Sequence, residues 1–293
     1  MGSAEEAAGH REVSRGHPAG RLVLVGTPIG NLDDMAPRGA EALRSADLVA
    51  CEDTRRTGRL LELLGIPAPK LLRMDAHTEG EVAERILDAV RQGRRVAVTT
   101  DAGMPGLSDP GSRLVCAAVE AGVPVEVVPG PFAGAVALVA SGLLDPSGRF
   151  AFEGFLPRKG SERRDRLAAL AVEQRPVVIY ESPHRVAATV DDLAGACGPT
   201  RRVALARELT KLHEEIWYGT LHEAAGHLAE RAPRGEYVVV VQAAPPPAAP
   251  TDEELRAALE LELAAGSTRR DAAAAVAGRF GVAANRVKRL GLG

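Results

Sequence analysis

Residues 95–100, RVAVTT, form a run of mostly β-branched side chains that ends in Asp101 and then in the Gly- and Pro-rich loop AGMPGLSDPG. The run predicts a strand, and its end delivers a carboxylate and close-approaching backbone to the carboxyl edge of a sheet, where open α/β sheets bind ligands. Two other turns have the same character: Gly26-Thr27-Pro28-Ile29-Gly30-Asn31 after LVLV, and Pro129-Gly130-Pro131-Phe132 after VEVV. Together the three describe a pocket made mainly of backbone, suited to the polar edges of an adenosine-like ligand. Each turn alone reads equally well as a plain strand-to-helix connection, and Asp101 as a loop cap. The first turn is no Walker A, because it lacks the Lys and hydroxyl of GxxxxGK[ST], and it lacks the GxGxxG spacing of a dinucleotide site.

Apolar patterning supplies the elements that must hold these turns. Short strands at LVLVG, DLVAC, KLLRM, RVAVTT and PVEVV alternate with amphipathic stretches at 37–44, 54–64, 79–92, 112–121 and 132–141. That βαβ rhythm predicts a largely parallel, helix-covered sheet. Turn residues at 142–148, GLLDPSG, mark a boundary, and a second α/β unit follows. Its strands are RFAFEGF, PVVIYE, RVALARE and EYVVVVQ, with helices near 162–172, 184–196 and 221–231. AAPPPAAP then reads as a semi-rigid spacer. The expected organisation is a disordered tail (1–20), an α/β domain with the ligand loops (21–145), a second α/β domain (146–242), a linker (243–251) and a small basic helical segment (252–293).

The 293 residues, 45% of them hydrophobic, suit two domains plus an appendage. A net charge of -3 excludes capture of nucleic acid by overall charge and leaves that task to local basic patches. Three scattered cysteines, with no CxxC, suggest neither a disulfide framework nor a zinc site, so no metal is expected and a reducing cytoplasm fits. The first twenty residues lack the apolar core of a signal peptide, and no segment reaches the length of a membrane span.

Eight blocks then occur in order: LVLVGTPIGNLDD, ADLVACEDTRRTGRLL, TDAGMPGLSDPG, VPGPFAG, FEGFLPRKG, YESPHR, LARELTK and GEYVVVV. In that order and spacing, from about Leu22 to Gln242, they resemble the ribosomal RNA small subunit methyltransferase I family of the tetrapyrrole methylase superfamily. The resemblance implies S-adenosylmethionine as cofactor, two α/β domains with the cofactor in the cleft between them, and a homodimer. It further implies 2′-O-methylation of a cytidine ribose in small-subunit ribosomal RNA, free or in the 30S particle. It places Pro28, Asp101, Ala102, Gly103, Pro105, Phe132 and Ala133 on the cofactor, and Tyr180 and Glu181 where the cleft is completed. One departure is that the family often reads SDAGTP where this chain has TDAGMP, which puts side-chain contacts at Met104 in question.

Methyl transfer from a sulfonium is an in-line displacement, so alignment is the main catalytic task. A ribose hydroxyl also needs its proton taken, work that a positioned base raises by about 10²–10⁴-fold. Glu181, Glu208 and Lys211 are the candidates, with His184 a further option; a Glu and an Arg at a strand end equally form structural ion pairs. Arg185 and Arg207 would steady phosphates or pair with those acids.

Basic patches supply the RNA side. Arg158, Lys159, Arg163, Arg164 and Arg166 face only Glu162 and Asp165 within 157–167, and Arg269, Arg270, Arg279, Arg286, Lys288 and Arg289 face only Asp271 after Gly266. In the tail, Ser267 or Thr268 caps a helix, Gly281 breaks it and AANRVKRL begins another, a helix-turn-helix-like pattern. Few aromatics leave phosphate contact and shape to dominate RNA recognition. The rival readings are C-methylation of a tetrapyrrole, which needs a macrocycle pocket and no RNA patch, and a non-catalytic RNA-binding or ribosome-assembly factor.

Overall fold

The structure is a computed structural model that describes residues 20–246 and 248–291. Apart from Gly20, the segment expected to be a disordered tail lies outside the described residues. The chain divides into two compact units, Met1–Ala244 and Pro245–Gly293.

The first unit opens with five strands, β1 (Arg21–Val25), β2 (Leu48–Cys51), β3 (Lys70–Arg73), β4 (Arg95–Thr99) and β5 (Val125–Val128). All pair in parallel, in the order β3-β2-β4-β1-β5. Helices α1 (Pro37–Arg44), α2 (Thr54–Leu63), α3 (Glu79–Arg91), α4 (Ser112–Glu120) and α5 (Ala133–Ser141) connect or follow them. Alternation along the strands feeds two cores: Leu22 and Leu24 join one with Val96 and Val98, while Val23 and Val25 join Ala97 in the other. Burial on both faces is why these strands read as unbroken β-branched runs.

The second sheet comprises β6 (Ala151–Phe155), β7 (Val177–Glu181), β8 (Arg202–Arg207), β9 (Glu215–Thr220) and β10 (Tyr237–Val241) in the order β6-β7-β10-β8-β9. Only β6 and β7 are parallel; the other pairs are antiparallel. Strand β9 has no counterpart among the expected strands. Helices α6 (Gly160–Val172), α7 (Val186–Cys197) and α8 (Leu221–Glu230) cover one face, packing Leu170, Val190, Leu193 and Leu228 on Ile179, Leu205 and Val239. On the other face Val178, Ala204, Ala206, Val238 and Val240 pack on Ala137 and Leu138 of α5 and on Ile29. Helix α5 therefore belongs to the core of the second sheet. The packing changes at Pro129–Phe132, ahead of the turn-rich 142–148 stretch.

The second unit is three helices, α9 (Asp252–Ala264), α10 (Arg269–Phe280) and α11 (Ala284–Leu290). Thr251 and Glu254 form a reciprocal capping box at α9, Thr268 caps α10, and Gly281 ends α10 in the left-handed conformation at φ 64°. Leu255, Leu259, Ala272, Ala273, Val276 and Val287 make a core of its own.

Candidate functional site

The carboxyl ends of β4, β1 and β5 lie side by side, so the three Gly- and Pro-rich turns meet. Thr27 and Gly103 exchange backbone hydrogen bonds of 2.9 and 3.1 Å, tying the first turn to the second. Gly26 and Gly130 pass so closely that a Cβ on Gly130 would lie 2.7 Å from Gly26 Cα. The Gly130 N–H donates to Met104 Sδ at 3.2 Å, so the residue that departs from the common family pattern bridges the second and third turns. Asp101 accepts from the Asp53 N–H at 3.2 Å and pairs with Arg56 at 3.3 Å, which makes it in part a cap for the turn that begins α2.

The second sheet faces these turns with the ends of β7 and β8 and the start of β10. Tyr180 Oη accepts from the Gly134 N–H at 3.1 Å, fixing the start of α5. Its ring meets Phe152 and Phe155 edge-on at 5.1 and 5.8 Å, and Phe132 meets Phe152 at 5.0 Å. Beyond β8, Glu208 and Thr210 hold φ of 52° and 65°, left-handed values costly for side-chain-bearing residues. That turn is held by Lys211 Nζ, which bonds Glu208 and Glu236 at 2.9 Å each, and by the Asn31 N–H, which donates to Thr210 Oγ1 at 3.1 Å.

Between these walls lies a cavity of about 390 Å³, within the usual range for small-molecule sites. Asp101, Ala102, Gly103, Phe132, Ala133, Tyr180, Glu181, Glu208 and Lys211 border it, joined by Ile29, Glu52, Arg56, Met104, Leu107, Asp109, Phe155 and Glu236. Pro28 and Pro105 do not. Pro105 is buried, and half-buried Pro28 lies in the first turn, so neither is among the expected residues that the structure brings together on the cavity wall.

All three proton-acceptor candidates are occupied otherwise. The Glu181 side chain has no exposed surface; it accepts from Thr189 Oγ1 at 2.7 Å and the Ser182 N–H at 2.9 Å, and pairs with Arg185 at 3.3 Å. It anchors the entry to α7. Burial works to lower Lys211, but its bonds to Glu208 and Glu236 outweigh burial and raise it, so this ammonium is a poor base. The hydrogen bond from Lys211 in turn holds Glu208 below the usual carboxylate range. His184 is exposed and does not border the cavity, and Arg207 pairs with Glu215 at 2.7 Å.

Sequence reasoning missed Glu52, Arg56, Asp109 and Glu236. Burial, then the nearby charges of Glu52, Asp101 and Glu236, push Asp109 up to about 7. Burial likewise raises Asp101 and Glu52. The only hint was the SDPG that ends the loop, and that reads locally as a turn.

Of the basic candidates, Arg158, Lys159 and Arg164 are exposed, directly after Phe155 of the cavity wall. Arg163 is not: it is 9% exposed, bonded to Asp192, Thr189 and the Pro157 carbonyl, so its expected place on RNA is corrected to a structural one. In the second unit Arg269, Arg270, Lys288 and Arg289 are exposed, whereas Arg286 is tied to Asp252 at 2.8 Å and to the Pro250 carbonyl.

A family model described as Tetrapyrrole (Corrin/Porphyrin) Methylases matches residues 21–225. The chain belongs to this family of methyltransferases. The ribosomal RNA small subunit methyltransferase I of Synechocystis sp. is 44% identical over 255 residues, covering 86% of this chain and 90% of the relative. The protein of the same name from Xylella fastidiosa is 48% identical over 227 residues, covering 77% and 82%. Uroporphyrin-III C-methyl transferase from Thermus thermophilus, solved in complex with S-adenyl homocysteine, shares the fold with a TM-score of 0.55 at 19% identity, covering 76% of this chain and 97% of that one. Among the described residues no helix is long and apolar enough to cross a membrane, and no group of three or more His, Cys, Asp or Glu is placed to hold a metal.

Proposed function

We propose that this methyltransferase moves the methyl group of S-adenosylmethionine to a ribose 2′-hydroxyl of a cytidine in small-subunit ribosomal RNA, acting in the cytoplasm as a homodimer. The observation that carries this reading is identity of 44% and 48%, across more than three quarters of the chain, to proteins named for that ribosomal RNA. The cavity fits the cofactor. Apolar Ile29, Met104 and Phe132 suit a flat, partly apolar body, Gly103 brings backbone to the cavity wall, and Glu52, Asp101 and Asp109 favour a cation. Bound there, S-adenosylmethionine supplies an electrophilic methyl on a sulfonium. Asp101, Ala102, Gly103, Phe132, Ala133 and Tyr180 would hold it.

The chain's own residues do the positioning. The Thr27–Gly103 bridge fixes the turns within one wall of the cavity and the Asn31–Thr210 bond ties that wall to the other, which fixes one reactant relative to the other. The wall also argues against a tetrapyrrole acceptor. A macrocycle ringed with carboxylates would meet Glu52, Asp101, Asp109, Glu208 and Glu236, and like charges in a partly dry site repel. Exposed Arg158, Lys159 and Arg164 beside Phe155 suit a phosphate backbone entering the cleft, with Arg269, Arg270, Lys288 and Arg289 of the second unit as further contacts.

The test offers labelled S-adenosylmethionine with 30S particles, free ribosomal RNA and a tetrapyrrole precursor in parallel. Label in RNA is expected. Label in the tetrapyrrole, or cofactor binding with no transfer to any acceptor, overturns the proposal.

A further inference from the structure

Six carboxylates border the cavity, and four already have partners: Asp101 with Arg56 and the Asp53 N–H, Glu181 with Thr189 and Arg185, and Glu208 and Glu236 with Lys211. Glu52 and Asp109 have neither a hydrogen bond nor an ion pair among the described residues. The charges that bear on Glu52 all come from the first sheet's side, namely Asp101, Arg56, Asp75 and Asp53. Asp109 instead faces Glu52 and Asp101 from that side and Glu236 from the second sheet, and it bears on Tyr180 across the cleft. It stands where the two walls meet.

Its loop is built to keep it there. Ser108 is left-handed at φ 63°, the Gly106 N–H donates to the Pro110 carbonyl at 3.1 Å, and the Gly111 N–H donates to buried Glu79 at 3.0 Å. Gly154, at the bulge of β6, leaves room for the loop; a Cβ there would lie 2.6 Å from Ser108 Oγ.

We infer that Asp109 is the catalytic proton acceptor, taking the proton of the substrate hydroxyl during methyl transfer. The inference rests on the ribose-methylating reading above. As the hydroxyl oxygen bonds to the methyl carbon, the carbon–sulfur bond breaks with its electron pair left on sulfur, and the proton passes to the Asp109 carboxylate, which later releases it to water. A carboxyl near 7 suits the task better than an ordinary one, since it is still substantially ionised at neutral pH yet holds a proton far more tightly. Burial contributes most to this value, and the local field of Glu52, Asp101 and Glu236 adds to it, with Tyr180, Glu208, Arg56 and Lys211 also on the cavity wall.

Asp109→Asn and Asp109→Glu test it in the full chain, by single-turnover transfer to 30S particles across pH and by carboxyl carbon NMR of the free protein. In the unmodified protein the rate should climb with pH to about 7 and then level off, and one carboxyl should titrate in the same range. Asp109→Asn should lose that resonance and that climb and slow the chemical step by about a hundredfold or more, with Asp109→Glu restoring part of the rate. Unchanged binding of S-adenosylhomocysteine by calorimetry reports an intact fold. An active parent with an equally active Asp109→Asn, or an unchanged pH profile, overturns the assignment alone. A parent that methylates no RNA overturns the ribosomal reading and the assignment with it, whereas the NMR titration then still reports the carboxyl itself.

Discussion

Glu181 and Asp109 are both cavity-bordering acids, and the partners of each decide opposite roles. Removing Glu181 takes the acceptor from the buried Thr189 O–H and the carboxylate from Arg185, which keeps its bond to the Leu156 carbonyl, so Glu181→Ala should cost about 3 kcal/mol of stability in denaturant unfolding. A loss below about 1 kcal/mol would mean the network is readily replaced by water. Asp109 works the other way. Its folded-state value of about 7 lies above the value of about 3.9 in an unfolded chain. Between the two the folded state holds a proton that the unfolded state has lost, so stability falls as pH rises through that window and is level above it. Asp109→Asn should therefore raise Tm by about 2–4 °C near pH 8 and leave it unchanged near pH 4. A difference that is the same at both values would show that the carboxylate is not strained by its surroundings. The pairing of Glu181 with Arg185 was one of the two readings the sequence offered, whereas the role of Asp109 was not legible, because SDPG looks like a turn. What separates the two acids is their surroundings in the fold: burial and the charges of Glu52, Asp101 and distant Glu236 around Asp109, and the Thr189 hydroxyl on the neighbouring helix for Glu181.

At the scale of elements, the parallel sheet could be read directly because strands buried on both faces become continuous β-branched runs, bounded here by Gly and Pro. Strand β9 escaped notice because it is a half-buried edge strand, EIWYGT, that follows the polar turn at TKLHE. Helix α5 was recognised as a helix but not as a filler of the second core, since its apolar residues run all round and point to no single partner. The three turns were legible as a group because glycine is demanded where backbones touch. Gly130→Ala tests that demand: the added Cβ meets the Gly26 backbone, which cannot swing aside as a side-chain tip does. We expect a loss of about 1–3 kcal/mol in stability from such overpacking, together with weaker S-adenosylmethionine binding by calorimetry. Full binding would place the cofactor away from the turns.

For the whole molecule, the balance of charge matters more than its total. The net charge of -3 hides an acidic cavity and exposed cations at 158–164 and in the three-helix unit. The unit has its own capped helices and its own apolar core, so removing residues 251–293 should leave the first unit folded and its cofactor affinity unchanged. RNA binding should weaken, and the logarithmic salt slope should flatten by about 0.7–0.9 for each phosphate that the shortened protein no longer neutralises. Identical slopes for both forms would assign RNA binding to the 157–167 segment instead. The oxygen-methylating reading itself comes down to one product. 30S particles labelled by this protein from S-adenosylmethionine should be digested to nucleosides and the methylated nucleoside identified by mass spectrometry. The expected result is label in 2′-O-methylcytidine; label on a base, or no labelled nucleoside, would refute it.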